Sequence, residues 1–399
     1  MGFTPAELAA RYFSPQEIER SRRYHRPLYL AGAASTALSL GVLAALTFTN
    51  AGDVLARVIP AAPPHQAAGT TAIAVVVLLS IVRFPLSAWT GHVYERRWGF
   101  STQRFGGWLK DWAKALGVRA VLAGFVFVLL FAVIERTEAW PLIAAPGAAL
   151  LVAVMAYVAP VVLEPLFNRF EPLRDEQLAD GLRALSVEAG VPVRDVLVAD
   201  ASRRTKKENA YVSGLGATRR VVVYDTLLAR GSDRGVRLVV AHELGHRRAR
   251  HVALGTALAA LGAAAGVVLV WAAISSPTVR RVVGATSVTD QRLVPAVMLG
   301  ASLLGLVTAP FGTLISRRWE RAADRASIEL TRDPAGFAEM ERNLAVANLS
   351  ELAPSRLAYA FLFTHPAPGE RIAAAIGDIR SASGGSGVPP QRDQPLRRR

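Results

Sequence analysis

Two histidines and a glutamate within five residues could bind a metal ion and support hydrolysis. The segment is His242-Glu243-Leu244-Gly245-His246. If it is helical, His242 and His246 share one face with Cβ atoms about 5–6 Å apart, so both imidazoles can bind one tetrahedral Zn²⁺ and leave a position for water. Glu243 lies close enough to that water to take its proton. This H-E-x-x-H arrangement is typical of zinc-dependent peptidases.

The alternative explanation for this segment is a chance occurrence. Three fixed residue types in five positions, two of them histidines, should arise by chance in a chain of this size with a probability on the order of one in a hundred. Chance is therefore a poor explanation. The pattern favours a zinc site, which still needs a third ligand from another segment.

The third ligand has two candidate sources. In the extended pattern H-E-x-x-H-x-x-G-x-x-H the required positions hold Ala249 and Val252, while His251 falls on the opposite side of the helix, where it would only support a ligand or end the helix. Glu320 and Asp324 are one helical turn apart on a shared face. Glu320 could therefore bind the metal while Asp324 hydrogen-bonds a ligating histidine. A solvated charged helix explains these residue types equally well, so both interpretations stay open.

The composition indicates a multi-pass membrane protein. Of the 399 residues 52% are hydrophobic and only 19% are charged, and the apolar residues are clustered in blocks. The absence of cysteine excludes thiolate ligands, a cysteine nucleophile and disulfides. The net charge of +15 does not indicate nucleic-acid binding, because the arginines fall mostly between the apolar blocks and not on one basic face.

The apolar blocks predict about six membrane spans. Arginine placement puts both termini, and the helix with His242, on the cytoplasmic side of the cell membrane. The predicted spans cover residues 28–48, 71–89, 120–134, 141–167, 252–274 and 293–315.

The polar segments between the spans must carry the site. We expect an amphipathic helix at 174–189, short strands at 196–198, 210–212 and 221–224, and a site helix that runs on towards the fifth span. The predicted fold is mainly α, a polytopic helical membrane protein with a small α+β zincin-like domain built from cytoplasmic segments. Its parts are an interfacial segment (1–27), spans one to four (28–167), the zincin-like part (168–250), spans five and six (251–316), the rest of the catalytic domain (317–378) and a disordered tail (379–399).

Several segments in a fixed order resemble the type I CAAX prenyl endopeptidases, which are integral-membrane zinc peptidases. The resemblance extends over residues 13–372. It rests on the H-E-x-x-H segment together with five others, which are Leu163-Glu164-Pro165-Leu166-Phe167-Asn168-Arg169-Phe170-Glu171-Pro172-Leu173, Glu208-Asn209-Ala210-Tyr211-Val212-Ser213-Gly214, Val221-Val222-Val223-Tyr224-Asp225-Thr226-Leu227-Leu228, Glu320-Arg321-Ala322-Ala323-Asp324 and Thr364-His365-Pro366 with Arg371.

The resemblance implies a role for each matched residue. His242, His246 and Glu320 would bind one zinc ion per chain, Glu243 would be the general base, and Asp324 would support a zinc ligand. His365 would hydrogen-bond the oxyanion. The remaining positions would bind the substrate, with two of them on an edge strand that holds it extended; these are Asn209, Ala210 and Arg371.

The predicted function is that of a membrane-embedded zinc metalloendopeptidase that cleaves near the C-terminus of prenylated or membrane-associated proteins. The expected partners are therefore a peptide or protein substrate and the lipid bilayer, and not a nucleic acid. A protease of the HtpX type, which removes damaged membrane proteins, is the first alternative. A non-catalytic transporter or scaffold is the second, and an intact Glu243 argues against it because a structural zinc site needs no base.

Overall fold

Long helices account for most of the chain in this structure, a computed structural model that describes residues 3–60, 62–214 and 216–382. The helices are α1 (Pro5–Tyr12), α2 (Pro15–Phe48), α3 (Ala51–Val58), α4 (Pro64–Ala88), α5 (Glu95–Arg97), α6 (Phe105–Ile134), α7 (Trp140–Val158), α8 (Glu164–Phe167), α9 (Glu176–Glu188), α10 (Asp225–Leu228), α11 (Asp233–Arg248), α12 (His251–Ser275), α13 (Pro277–Val282), α14 (Leu293–Thr331), α15 (Pro334–Ala347), α16 (Arg356–Leu362) and α17 (Pro368–Ala382).

Six helical segments of the described residues are long and apolar enough to cross a membrane. Two are composite, because π-helical turns at Trp89–Tyr94 and Ala159–Leu163 join α4 to α5 and α7 to α8. Within the bundle α4 packs along α6, α7 along α12, and α2 beside α14. The six segments are Pro15–Phe48, Pro64–Arg97, Phe105–Ile134, Trp140–Phe167, His251–Ser275 and Leu293–Thr331.

The helices extend beyond the apolar blocks from which the spans were predicted. α2 begins at Pro15, where Ser14 and Glu17 form a reciprocal capping box, so the segment before the first span is part of the same helix. α6 begins at Phe105, so the third span is not short. α14 continues without a break to Thr331, so Glu320 and Asp324 lie in the same helix as the sixth span.

The site helix does not run on into the fifth span, contrary to the sequence prediction. α11 ends at Arg248, and Arg250 adopts a left-handed backbone with φ of 56° before α12 begins at His251. Left-handed residues commonly terminate helices, although glycine usually fills that position. The site helix and the fifth span are therefore two separate helices.

The polar segments form a small four-stranded sheet with the order β1-β2-β4-β3, built from β1 (Phe170–Pro172), β2 (Asp195–Ala199), β3 (Ala210–Ser213) and β4 (Arg220–Tyr224). β2 and β4 are parallel, while β1 and β3 are antiparallel to their neighbours. Val221, Val223, Val240 and Leu244 are fully buried in the core between the sheet and α11, and each buried aliphatic side chain contributes about 1.5–3 kcal/mol.

The tail predicted to be disordered begins inside the last helix. α17 runs to Ala382, so residues 379–382 are helical. The rest of the predicted tail, 383–399, lies outside the described residues.

Candidate metal centre

The two histidines are presented by α11, which packs directly against α14. The Ser232 hydroxyl caps α11 by accepting the Gly235 amide at 3.1 Å. At Gly245 a Cβ atom would lie 2.9 Å from the Ala326 Cβ and 3.2 Å from the Ala323 Cα. A larger residue at 245 would therefore force the two helices apart. The glycine inside the H-E-x-x-H segment is thus what brings the histidines to Glu320.

Three side chains converge with their ligand atoms facing one another. The Nε2 atoms of His242 and His246 lie 3.2 Å apart, and each lies 3.2–3.3 Å from an oxygen of Glu320. His242 and Glu320 are buried, and Glu320 Oε2 has no hydrogen bond of good geometry within the described part of the chain. Buried polar atoms that point at one another without pairing are expected where an ion belongs.

The spacing of these atoms fits zinc. Two nitrogens at about 2.0–2.1 Å from one tetrahedral ion are separated by roughly 3.3 Å, close to the 3.2 Å observed between the imidazoles. The donor set of two nitrogens and a carboxylate is also one that catalytic zinc sites use, with a position left for water. His242, His246 and Glu320 are the metal-binding group found among the described residues.

The second ring nitrogen of His242 is held by a buried chain of charged groups. Its Nδ1 lies 2.9 Å from Asp324 Oδ1. Arg371 donates from Nε and Nη2 to the Asp324 carboxylate at 2.9 and 2.5 Å, and its Nη1 lies 2.7 Å from Glu341 Oε2. Asp324 therefore stands where the sequence predicted it, and it fixes the histidine so that Nε2 faces the site.

Arg371 pairs with Asp324 beside the Nδ1 atom of His242. The resemblance implied a substrate contact, but the guanidinium lies on the Nδ1 side of His242, with 11% of the side chain exposed. Burial alone would lower the pKa of Arg371, but the carboxylates of Glu341 and Asp324 raise it. We therefore assign Arg371 to positioning Asp324.

Glu341 was not among the residues predicted for the site. It lies in α15 among Phe337, Met340 and Ala345, which are all buried. Burial raises the pKa of Glu341, although Arg371 opposes this effect. A glutamate on the apolar face of a helix was the available signal, because such a residue needs a charged partner.

His251 lies at the start of α12 and contacts the site from behind. Its Nδ1 is 3.0 Å from the Nδ1 of His246, and its ring stacks on Trp319 at 5.1 Å between centroids. The Nε2 of His246 faces Glu320, so His251 supports a proposed ligand and does not enter the ligand group. His251 was predicted to end the helix or to support a ligand because it would lie on the opposite side of a continuous helix, whereas in the structure it begins a new helix.

Glu243 and His365 flank the three ligand residues. Burial raises the pKa of Glu243, an effect that the nearby His242 and His246 partly offset. Its carboxylate forms no hydrogen bond or ion pair with any other residue in the described ranges, so it is free to accept a proton. His365 is more exposed, and its Nε2 lies 3.3 Å from Glu320 Oε1.

The predicted substrate-binding strand is an edge strand of the sheet. β3 pairs only with β4, and the Tyr224 amide donates to the Asn209 carbonyl at 2.9 Å. Hydrogen bonding alternates along an antiparallel strand, so the amide and carbonyl of Ala210 point away from β4. The next outward carbonyl, that of Val212, is already bonded to Arg247.

Both ends of β3 are tied to other elements. At the start, the Asn348 side chain accepts the Glu208 amide at 2.8 Å and donates to the Glu208 carbonyl at 2.9 Å. At the end, the Ser213 hydroxyl donates to Glu164 in α8 at 2.9 Å. The fourth span and α15 therefore hold the edge strand in register beside α11.

Two family models match adjacent parts of the chain. The family model described as peptidase family M48 matches residues 172–378, just over half of the chain. The chain belongs to peptidase family M48. A second model, described as the CAAX prenyl protease N-terminal region with five membrane helices, matches residues 2–169.

Individual relatives match three quarters or more of the chain. The uncharacterized metalloprotease YhfN of Bacillus subtilis is 28% identical over 91% of this chain and 86% of its own length. The CAAX prenyl protease 1 homolog of Arabidopsis thaliana is 27% identical over 75% of this chain and 70% of its own. The crystal structure of S. mikatae Ste24p has the same fold, with a TM-score of 0.80 at 21% identity over 93% of this chain and 94% of that one.

These matches confirm the predicted resemblance and the polytopic helical fold with a small sheet. This M48 peptidase is a membrane metalloendopeptidase of the CAAX prenyl protease type, and its family implies a metal ion and a peptide substrate.

Proposed function

We propose that this chain is a zinc endopeptidase whose active site faces the cytoplasm and that it cleaves prenylated proteins near their C-termini. The observation that carries the proposal is the position of Glu320 on the sixth membrane helix. From the end of the predicted span at Ile315, five residues of helix advance about 7.5 Å. A substrate anchored in the bilayer by a lipid can therefore reach the site without leaving the membrane surface.

The cytoplasmic placement is supported by the distribution of basic residues. On the side of the membrane that carries the site, arginines are dense in 169–250 and 317–371. The loops on the opposite side carry few, and the excess of Lys and Arg marks the cytoplasmic side. These loop arginines are Arg57, Arg136, Arg280, Arg281 and Arg292.

Each site residue has a separate role in peptide hydrolysis. A zinc ion held by His242, His246 and Glu320 would acidify a water and polarise the substrate carbonyl. Glu243 accepts the proton of the attacking water and passes it to the leaving amine. His365 donates a hydrogen bond to the carbonyl oxygen as negative charge develops there.

The choice of substrate can be tested with purified protein in nanodiscs. We would compare a farnesylated CAAX peptide, the same peptide without the lipid, and a damaged membrane protein. We expect kcat/KM to be at least about tenfold higher with the lipid, a difference of about 1.4 kcal/mol. Equal rates for both peptides would contradict recognition of the prenyl group. Cleavage of the damaged protein alone would instead support a quality-control protease.

The metal assignment predicts one zinc per chain in the wild type. Glu320→Gln should lower the zinc content strongly, because an amide is a weaker ligand and cannot balance the charge of the ion. Elemental analysis after dialysis at fixed free zinc measures this. Glu329→Gln, which neutralises an exposed carboxylate on the same helix, is the control. Full zinc occupancy in the Glu320 variant would exclude Glu320 as a ligand.

The open edge of β3 predicts a specific effect of proline at position 210. Ala210→Pro removes an amide that does not bond β4, and proline is tolerated on an edge strand in that position. Loss of one hydrogen bond to the substrate, about 0.5–1.5 kcal/mol, should raise KM about two- to tenfold with little change in thermal stability. Ala210→Gly keeps the amide and should leave KM near the wild-type value. An equal change of KM in both variants would refute this use of the strand.

A further inference from the structure

A pocket of about 490 Å³ opens beside His365 and is not used by the chemistry described above. Its walls come from α2, from α15 with the turn that follows it, and from the turn that carries His365. Asn348 lines the pocket and also holds the backbone of Glu208, just before the edge strand. The pocket therefore lies between a proposed catalytic residue and the start of the strand proposed to hold the substrate.

One wall of this pocket carries a buried carboxylate without a cation. Glu351 is 7% exposed. Its hydrogen bonds come from the Tyr29 hydroxyl at 3.5 Å and the Ala353 amide at 3.4 Å, both at the long limit. No lysine, arginine or histidine in the described ranges lies within ion-pair distance of it. Arg371, which also lines the pocket, is already shared between Asp324 and Glu341.

The turn that carries Glu351 is fixed on both sides. The buried Ser21 hydroxyl donates to the Ser350 carbonyl at 2.8 Å and accepts the Leu352 amide at 3.1 Å. His25 Nε2 lies 2.8 Å from the Leu349 carbonyl, and Leu349 itself has a left-handed backbone with φ of 49°. Such a conformation is unfavourable for leucine and persists only where its surroundings impose it. The backbone that carries Glu351 is therefore fixed at the wall of the pocket.

A largely buried carboxylate without a counter-ion is unfavourable, so the pocket is suited to a ligand that brings a positive charge. The surrounding apolar side chains, Leu344, Leu362 and Phe363, suit the methylene stem of a long basic residue. The chain as a whole has a net charge of +15, so general electrostatics would repel such a ligand. Recognition would have to come from this local site.

We propose that the pocket is a subsite for a lysine or arginine side chain of the substrate close to the scissile bond, with Glu351 as its counter-ion. This inference rests on the proposed peptidase function, because it names one part of the substrate. It is independent of the prenyl group. The enzyme would select a basic residue at one position of the substrate and would accept other residue types at the neighbouring positions.

The test is a positional scan with the full-length protein in nanodiscs. One parent peptide is made with lysine, norleucine or glutamate at each of the three positions on either side of the cleaved bond. We expect the wild type to prefer lysine over norleucine at one position by about tenfold in kcat/KM, since a hydrogen bond between two charged groups is stronger than one between neutral groups. Glu351→Gln should reduce that preference to about twofold or less and leave cleavage of the norleucine peptide within about twofold of wild type.

Two further arms separate the possible failures. Glu339→Gln neutralises an exposed carboxylate on α15 and should keep the lysine preference, which controls for net charge. Binding of the same peptides to Glu243→Gln and to the Glu243→Gln/Glu351→Gln pair, followed by fluorescence anisotropy, measures the subsite without turnover. If no peptide is cleaved but lysine still strengthens binding only when Glu351 is present, the peptidase proposal fails and the subsite stands. If no position shows a preference for lysine, or if the preference is unchanged in Glu351→Gln, the subsite proposal is wrong.

Discussion

Glu243→Gln is expected to lower kcat for peptide cleavage by about 10³-fold while the zinc content stays at the wild-type level. General acid–base catalysis typically contributes about 10²–10⁴-fold, and glutamine cannot accept the proton of the attacking water. The substitution preserves the size of the side chain, and Glu243 is not part of the group formed by His242, His246 and Glu320. Turnover of a fluorogenic peptide and elemental analysis of the same preparation measure the two quantities together.

The control for this variant is Glu329→Gln, which removes an equal charge from an exposed position on α14 and should cleave at the wild-type rate. A Glu243 variant that cleaves normally with full zinc would show that another group takes the proton. A variant that loses its zinc would place Glu243 in metal binding instead. Only loss of turnover with zinc retained agrees with the role assigned here.

The membrane part of the fold could be predicted from the sequence because hydropathy reports directly on burial in lipid. Hydropathy could not predict where the helices end outside the bilayer. Residues 105–119 carry tryptophans and lysines and read as an interfacial connector, yet they form the first half of α6. The break between α11 and α12 was also missed, because the left-handed residue is Arg250 and not the glycine that normally signals a helix end.

The site was predictable to the extent that its residues share a helix. The four-residue spacings of His242 with His246 and of Glu320 with Asp324 report a common face, and the structure brings the two faces together. The partnership between Glu341 in α15 and Arg371 in α17 could not be predicted, because a glutamate on an apolar helix face signals the need for a charged partner but does not identify that partner. Only the packing of these two helices against α14 shows that the charges are buried together.

Arg371→Met is expected to reduce stability and metal affinity together, which distinguishes a positioning residue from one that contacts the substrate. Without the guanidinium, Asp324 and Glu341 remain buried without a cation. Removing one partner of a buried ion pair typically costs about 3–5 kcal/mol. Loosening of the carboxylate behind a metal-binding histidine typically lowers metal affinity about 10- to 100-fold. Thermal unfolding and a zinc competition assay measure the two effects.

A second substitution makes this prediction sharper. The double variant Arg371→Met/Glu341→Gln also removes one of the two carboxylates that Arg371→Met leaves without a cation. Part of the lost stability should therefore return. The effects of the two substitutions should be non-additive, as expected for residues in contact. Zinc affinity should stay low, because Asp324 still lacks the guanidinium that aligns it with His242 Nδ1. An arginine that acts on the substrate would give the opposite pattern, with a raised KM, an unchanged melting temperature and no coupling to Glu341. The two roles therefore predict different results in every one of these measurements.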